Sequence, residues 1–345
     1  MLHFVRCPVK PSSVLRFASW NVVLTQPWTM DVNNTLLYVV TVLIWGTTWI
    51  AIEFQLGVVP AEVSVFYRYL LAASLLFAWC LYSRKPVRFG ASAHLRFMLL
   101  GLLMFSLNYM LTYHAQIYVT SALAAIAFST MLWMNMINAR LFFGVRSDWR
   151  AIGGSLLGVA GIVVIFYPQI DALTLSDATF YGMLLVLLGA LLASFGNMVS
   201  QDAQSRGLPI LQSNAWGMAY GALFTGLIAF VSDAAFIVDT RPAYLVSLLY
   251  LAVFGSIVAF GAYLTLLGRI GAHKAGYATV MFPVVALAIS VLFEGLLVSK
   301  SLMAGVLLVL AGNVFVLQAK KAPPVDTGEG PLAAVVAGPP EPPLA

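Results

Sequence analysis

Arg68 is the residue whose type and surroundings most need an explanation. It stands about seven residues into an apolar run over 61–82, roughly 10 Å along a helix axis. A charge at that depth in lipid is costly and marks either a functional site or a packing constraint. Two uses stay open: tying helix ends together through Glu53 or backbone carbonyls, or attracting and gating anions at an external mouth. Glu53, near the outer end of the preceding antiparallel run, reaches similar depth and is the expected partner. Glu294 closes a later run and is expected at the interface, where capping or packing is favoured over proton coupling.

Polar and aromatic residues recur at helical spacing on several runs. Trp45, Trp49 and Glu53 follow i, i+4, i+8 and share one stripe, which could line a cavity, anchor at the interface or fill a core. Asn108 and Tyr109, with Thr112 and Tyr113, repeat the pattern; Asn135 and Asn138 share a face, as do Ser194, Asn197 and Gln201. Taken singly, each amide is explained by an interhelical hydrogen bond. Taken together with Trp216, they describe a central polar cavity. Pro283 removes one N–H inside an apolar run and predicts a kink, either a hinge or a passive bend.

Catalysis within the membrane would need a convergent set, such as paired aspartates or a His-rich metal site. The apolar runs contain no aspartate, and His3, His94, His114 and His273 are dispersed. Cys7 and Cys80 have no metal-ligand spacing, so neither a metal nor another cofactor is expected. A net charge of +5 arises from basic residues scattered between apolar runs, without the basic stripe that nucleic acid requires.

The elements that must position these groups are set by lipid. Hydrophobic residues make up 61% of the 345 positions and charged ones 9%, with a mean hydropathy of +0.93. The apolar runs are about as long as a helix needs to cross the hydrocarbon region, too long for barrel strands. They predict ten transmembrane helices, at 35–57, 61–82, 97–115, 118–140, 151–168, 179–201, 210–231, 244–267, 275–295 and 301–318. Residues 1–34 read as a flexible leader without a signal-peptide pattern, and 320–345 as a disordered Pro/Ala/Gly-rich tail. With both termini inside, fifteen of the eighteen Lys and Arg fall on the cytoplasmic side; only Arg241 and Lys300 fall outside.

Residues 124–163 align on 275–314 at a constant offset of 151, with eleven of forty positions identical. These include the pairs Gly144/Gly295, Gly154/Gly305 and Gly161/Gly312. Halves of five spans each, over 35–168 and 179–318, would face the bilayer in opposite senses, an inverted repeat of the sort secondary transporters use. The helices bearing Gly154, Gly158, Gly161, Gly305 and Gly312 are expected to be scaffold and offer a face for a homodimer.

Several short motifs carry a family resemblance: Trp45-Gly46, Arg68-Tyr69-Leu70, Thr120-Ser121-Ala122, Met281-Phe282-Pro283 and Phe293-Glu294-Gly295. In this order and spacing, over residues 35 to 318, the chain resembles the EamA-type branch of the drug/metabolite transporter superfamily. The resemblance implies an all-α, ten-helix, two-repeat protein of the cytoplasmic (inner) membrane that moves small metabolites, often outward. One departure stands out: Leu132 lies opposite Pro283 and Phe143 opposite Glu294, so symmetric use of that pair is not expected. A small-molecule substrate and the bilayer are the expected partners, with an amino-acid-like or amphipathic cargo suiting the aromatic and amide lining. A membrane receptor or scaffold without transport would leave the repeat and the polar faces unexplained.

Overall fold

The computed structural model describes residues 32–119, 121–145, 147–172, 177–293 and 299–318; the expectations placed on Glu294, the tail and positions 1–31 of the leader fall outside them, while positions 32–34, expected in the leader, are helical. Among the described residues there is no strand. Twelve helical segments follow one another: α1 (Val32–Glu53), α2 (Ala61–Tyr82), α3 (Ala91–Ala115), α4 (Ser121–Ser129), α5 (Met131–Phe143) and α6 (Trp149–Ala172), then α7 (Asp177–Ser205), α8 (Ile210–Val231), α9 (Pro242–Ile270), α10 (Ala272–Ala275), α11 (Ala278–Phe293) and α12 (Lys300–Gln318). Six of them, α1, α2, α3, α7, α8 and α9, are long and apolar enough to cross a membrane. Leu36, Leu43, Leu227, Val246 and Leu307 point outward, as lipid permits and water does not.

Local chemistry sets the ends. Pro60 and Pro209 precede α2 and α8, and Pro242 opens α9, where a missing N–H is harmless. Gly144 closes α5 at φ +66°, a left-handed conformation that a side chain would strain. The continuous helix expected over 118–140 is instead divided at Thr130. Its hydroxyl donates to the Ala127 carbonyl at 2.6 Å and its backbone bonds tighten to the i, i+3 pattern, so the helix restarts at Met131. A short α10 and the Gly276–Tyr277 turn likewise precede α11. The helix expected over 151–168 runs from Trp149 to Ala172.

Two helices change pitch in their middles. α3 is π-helical over Gly101–Leu107 and α9 over Leu251–Val258. Shifted by 151, the first stretch becomes 252–258 and coincides with the second.

The main packing joins early helices to late ones: α6 lies on α12, α2 on α8, α1 on α9 and α11, and α3 and α5 on α7. The α6–α12 contact is built on glycine. A Cβ on Gly154 would stand 2.6 Å from the Gly312 carbonyl oxygen, and one on Gly161 2.6 Å from that of Gly305. The helices therefore run antiparallel, and adding 151 on α6 while subtracting it on α12 turns the first contact into the second. These glycines meet within one chain, so their stripe is occupied by its intramolecular mate.

Candidate functional site

A cavity with about 530 Å³ of unoccupied space lies between the early and late helices. α1 contributes Trp45, Thr48 and Trp49; α3 contributes Asn108, Tyr109 and Thr112; α7 contributes Asn197; α9 contributes Phe260 and Tyr263; and α11 contributes Phe282. Trp45 is held in place by an Nε1 hydrogen bond of 3.0 Å to the Gly255 carbonyl in the π-helical stretch of α9. Phe260, Tyr263 and Phe282 surround its ring at centroid distances of 4.7, 4.9 and 5.5 Å. Trp49 meets Phe128 edge-on at 5.7 Å.

Two amides give this aromatic box its polarity. Asn197 donates through Nδ2 to Asn135 Oδ1 at 3.1 Å and to the Tyr263 hydroxyl at 3.0 Å, leaving its own Oδ1 without a partner. Asn108 donates to the Met104 carbonyl at 3.3 Å, and its Oδ1 is also unpartnered. A buried acceptor left unsatisfied costs on the order of 1–3 kcal/mol, so both oxygens favour a bound N–H or O–H donor.

Of the residues singled out from sequence, Trp45, Trp49, Asn108, Tyr109 and Asn197 meet at this cavity. Asn135 stands one layer behind, orienting Asn197. Asn138 donates to Ser194 at 2.9 Å and ties α5 to α7 outside the lining. Trp216 does not reach the cavity. Its indole N–H bonds the Val87 carbonyl at 3.0 Å and its ring packs on Phe77 and His94, because that side of α8 seats the α2–α3 connection. Glu53 lies exposed at the end of α1, and the expected Glu53–Arg68 pair does not form. Arg68 instead reaches across to α9 and donates through Nε to Ser256 at 2.9 Å. Near the start of α2, Glu62 is paired with His114 at 2.7 Å. Pro283 is buried inside α11 beside Phe282.

Sequence reading missed Thr48, Met131, Phe260, Tyr263 and Phe282. A signal for three of them was present: the offset of 151 carries Tyr109 to Phe260, Thr112 to Tyr263 and Met131 to Phe282.

The EamA-like transporter family matches the chain twice, over residues 34–167 and again over 180–318. The chain belongs to the EamA-like transporter family. It is accordingly a multi-pass membrane transporter, and a transporter in preference to an enzyme. Similar proteins include the uncharacterized transporter YoaV of Bacillus subtilis, 26% identical over 284 residues, covering 81% of this chain and 96% of YoaV. The uncharacterized inner membrane transporter YedA of Escherichia coli K12 is 28% identical over 271 residues, covering 75% of this chain and 82% of YedA. A solved crystal structure with 17% identity superposes at a TM-score of 0.68, covering 82% of this chain and 95% of the other, a likeness of fold alone.

Proposed function

We propose that this EamA-like protein is a secondary carrier that moves a small, amphipathic, amino-acid-like metabolite across the cytoplasmic membrane by alternating access, in the direction of export. The observation that carries the reading is a cavity walled by both halves of the chain. Trp45, Trp49, Asn108 and Tyr109 belong to the first half and Asn197, Phe260, Tyr263 and Phe282 to the second, so a rocking motion between halves would open it first to one side and then to the other. Its aromatic faces with two free amide oxygens suit an apolar body bearing a donor group.

The mechanism needs two opposed halves. Three features support ten crossings arranged as inverted five-helix repeats over 35–168 and 179–318, with α4–α5 forming the fourth crossing. The glycine contacts between α6 and α12 exchange under the 151-residue offset; the π-helical stretches coincide under it; and three pairs of cavity residues are related by it. The charge asymmetry supports cytoplasmic termini in the inner membrane. Pro283, next to Phe282, is a candidate hinge for the wall of the cavity.

Reconstitution of the purified chain tests this reading. Proteoliposomes loaded with unlabelled leucine, phenylalanine or uracil should exchange at least one of them for external label, recovered chemically unchanged. Product formation without net movement, or no exchange of any compound, would overturn it.

A further inference from the structure

Arg68 is fully buried, yet among the described residues no carboxylate forms an ion pair with it. Among the described residues, the acids in ion pairs hold other bases: Glu62 holds His114, Asp202 holds Arg96 and Arg206, and Asp239 holds Arg241. Nε bonds Ser256, while Nη1 and Nη2 make no hydrogen bond. The guanidinium carbon lies 4.5 Å from the Tyr109 ring centre and 5.3 Å from that of Tyr69. Ring faces attract a cation without satisfying its N–H groups, so the terminal nitrogens still lack acceptors.

Those nitrogens lie directly behind the cavity wall. Tyr109 lines the cavity and its ring also lies against Arg68. A Cβ built on Gly255 would stand 3.3 Å from Arg68 Nη2 and 3.0 Å from the methyl of Thr48, which also lines the cavity. The missing side chain at Gly255 therefore lets the guanidinium pack directly behind the lining residue Thr48, with no room for a Cβ between them. The Trp45–Gly255 hydrogen bond holds that close approach in position.

We infer that Arg68 is the anion-reading residue of this cavity, taking a carboxylate of the transported molecule once the Thr48–Tyr109 wall between them parts. One cation with two free donors matches a single carboxylate, whose two oxygens accept in parallel. Asn108 and Asn197 supply the complementary acceptors for a donor such as an ammonium group. The substrate class is a small monocarboxylate with an aromatic or apolar body. The inference rests on reading the aromatic and amide cavity as the binding site.

Calorimetric binding to the purified full chain, with two probes that differ only in the head group, provides the test. 3-Phenylpropanoate should bind roughly ten-fold or more tightly than 3-phenylpropanamide. Arg68→Gln should abolish that preference, and Arg68→Lys should retain part of it. Gly255→Ala pushes the guanidinium away from Thr48 and should weaken propanoate binding with Arg68 present, so the assignment stays testable even where Arg68→Gln does not fold. Equal affinity for the two probes, a preference that survives Arg68→Gln, or binding of neither probe would overturn the anion site. Arg68-dependent propanoate binding without flux in proteoliposomes would instead overturn the carrier reading and leave the anion site standing.

Discussion

Asn197 on α7 and Tyr263 on α9 are joined by a 3.0 Å hydrogen bond in the wall of the central cavity. The same amide nitrogen reaches Asn135 on α5, so one side chain holds three helices and also keeps a buried oxygen free. Asn197→Ala should lower stability by about 0.6–1.7 kcal/mol, the range for an interhelical hydrogen bond in lipid. Transport should fall by more than the loss of folded protein explains, because the free oxygen goes too. Thermal unfolding in detergent, set beside exchange per folded molecule, separates the two effects. Equal losses in both would assign Asn197 to packing alone.

Close packing of α6 on α12 depends on the absence of side chains at Gly154 and Gly161. Gly154→Val should cost about 1–3 kcal/mol by forcing the helices apart, with Gly161→Val alike because the two contacts are mates. Nothing lies within 4 Å of a Cβ on Gly153, one residue away. Gly153→Ala should therefore be neutral or stabilise by up to about 1 kcal/mol. Thermal melts of the three variants check the contrast; similar losses at 153 and 154 would contradict the packing.

Much of this was legible in the sequence because lipid imposes simple rules. Run length marked the six helices long and apolar enough to cross a membrane, and i, i+4 spacing picked out Trp45, Trp49, Asn108 and Tyr109, which meet at one cavity. What failed was pairwise contact. Arg68 was matched to Glu53 on depth along neighbouring helices, but depth says nothing about rotation, and Arg68 faces α9 while Glu53 lies exposed. Trp216 misled for the same reason, since its indole N–H found a backbone carbonyl at Val87. The break at Thr130 and the π-helical stretches leave no mark on hydropathy, because a hydroxyl bonding its own backbone or one wider turn keeps the residues apolar.

His273 lies in α10, the connection between α9 and α11. Burial, with neighbouring Lys274 adding to it, pushes its pKa down to about 4. An unfolded histidine titrates near 6.5. The unfolded chain thus binds more protons between these values, so the contribution of His273 is fully present above about pH 6.5 and is lost as pH falls toward 4. Between pH 7 and pH 5 the loss should be about 2 kcal/mol. Melting of the wild type and of His273→Gln across this interval checks it: the variant should lose less. Parallel pH profiles would assign the acid sensitivity to other groups.

Accessibility of the cavity from the two sides of the membrane is the most direct test of a carrier built around it. In a background with Cys7→Ser and Cys80→Ala, Thr48→Cys places one thiol in the lining. A membrane-impermeant thiosulfonate reagent should modify it in both right-side-out and inside-out vesicles, and a bound substrate should shift the two rates in opposite directions. Modification from one side only, whatever is bound, would contradict alternating access through this cavity.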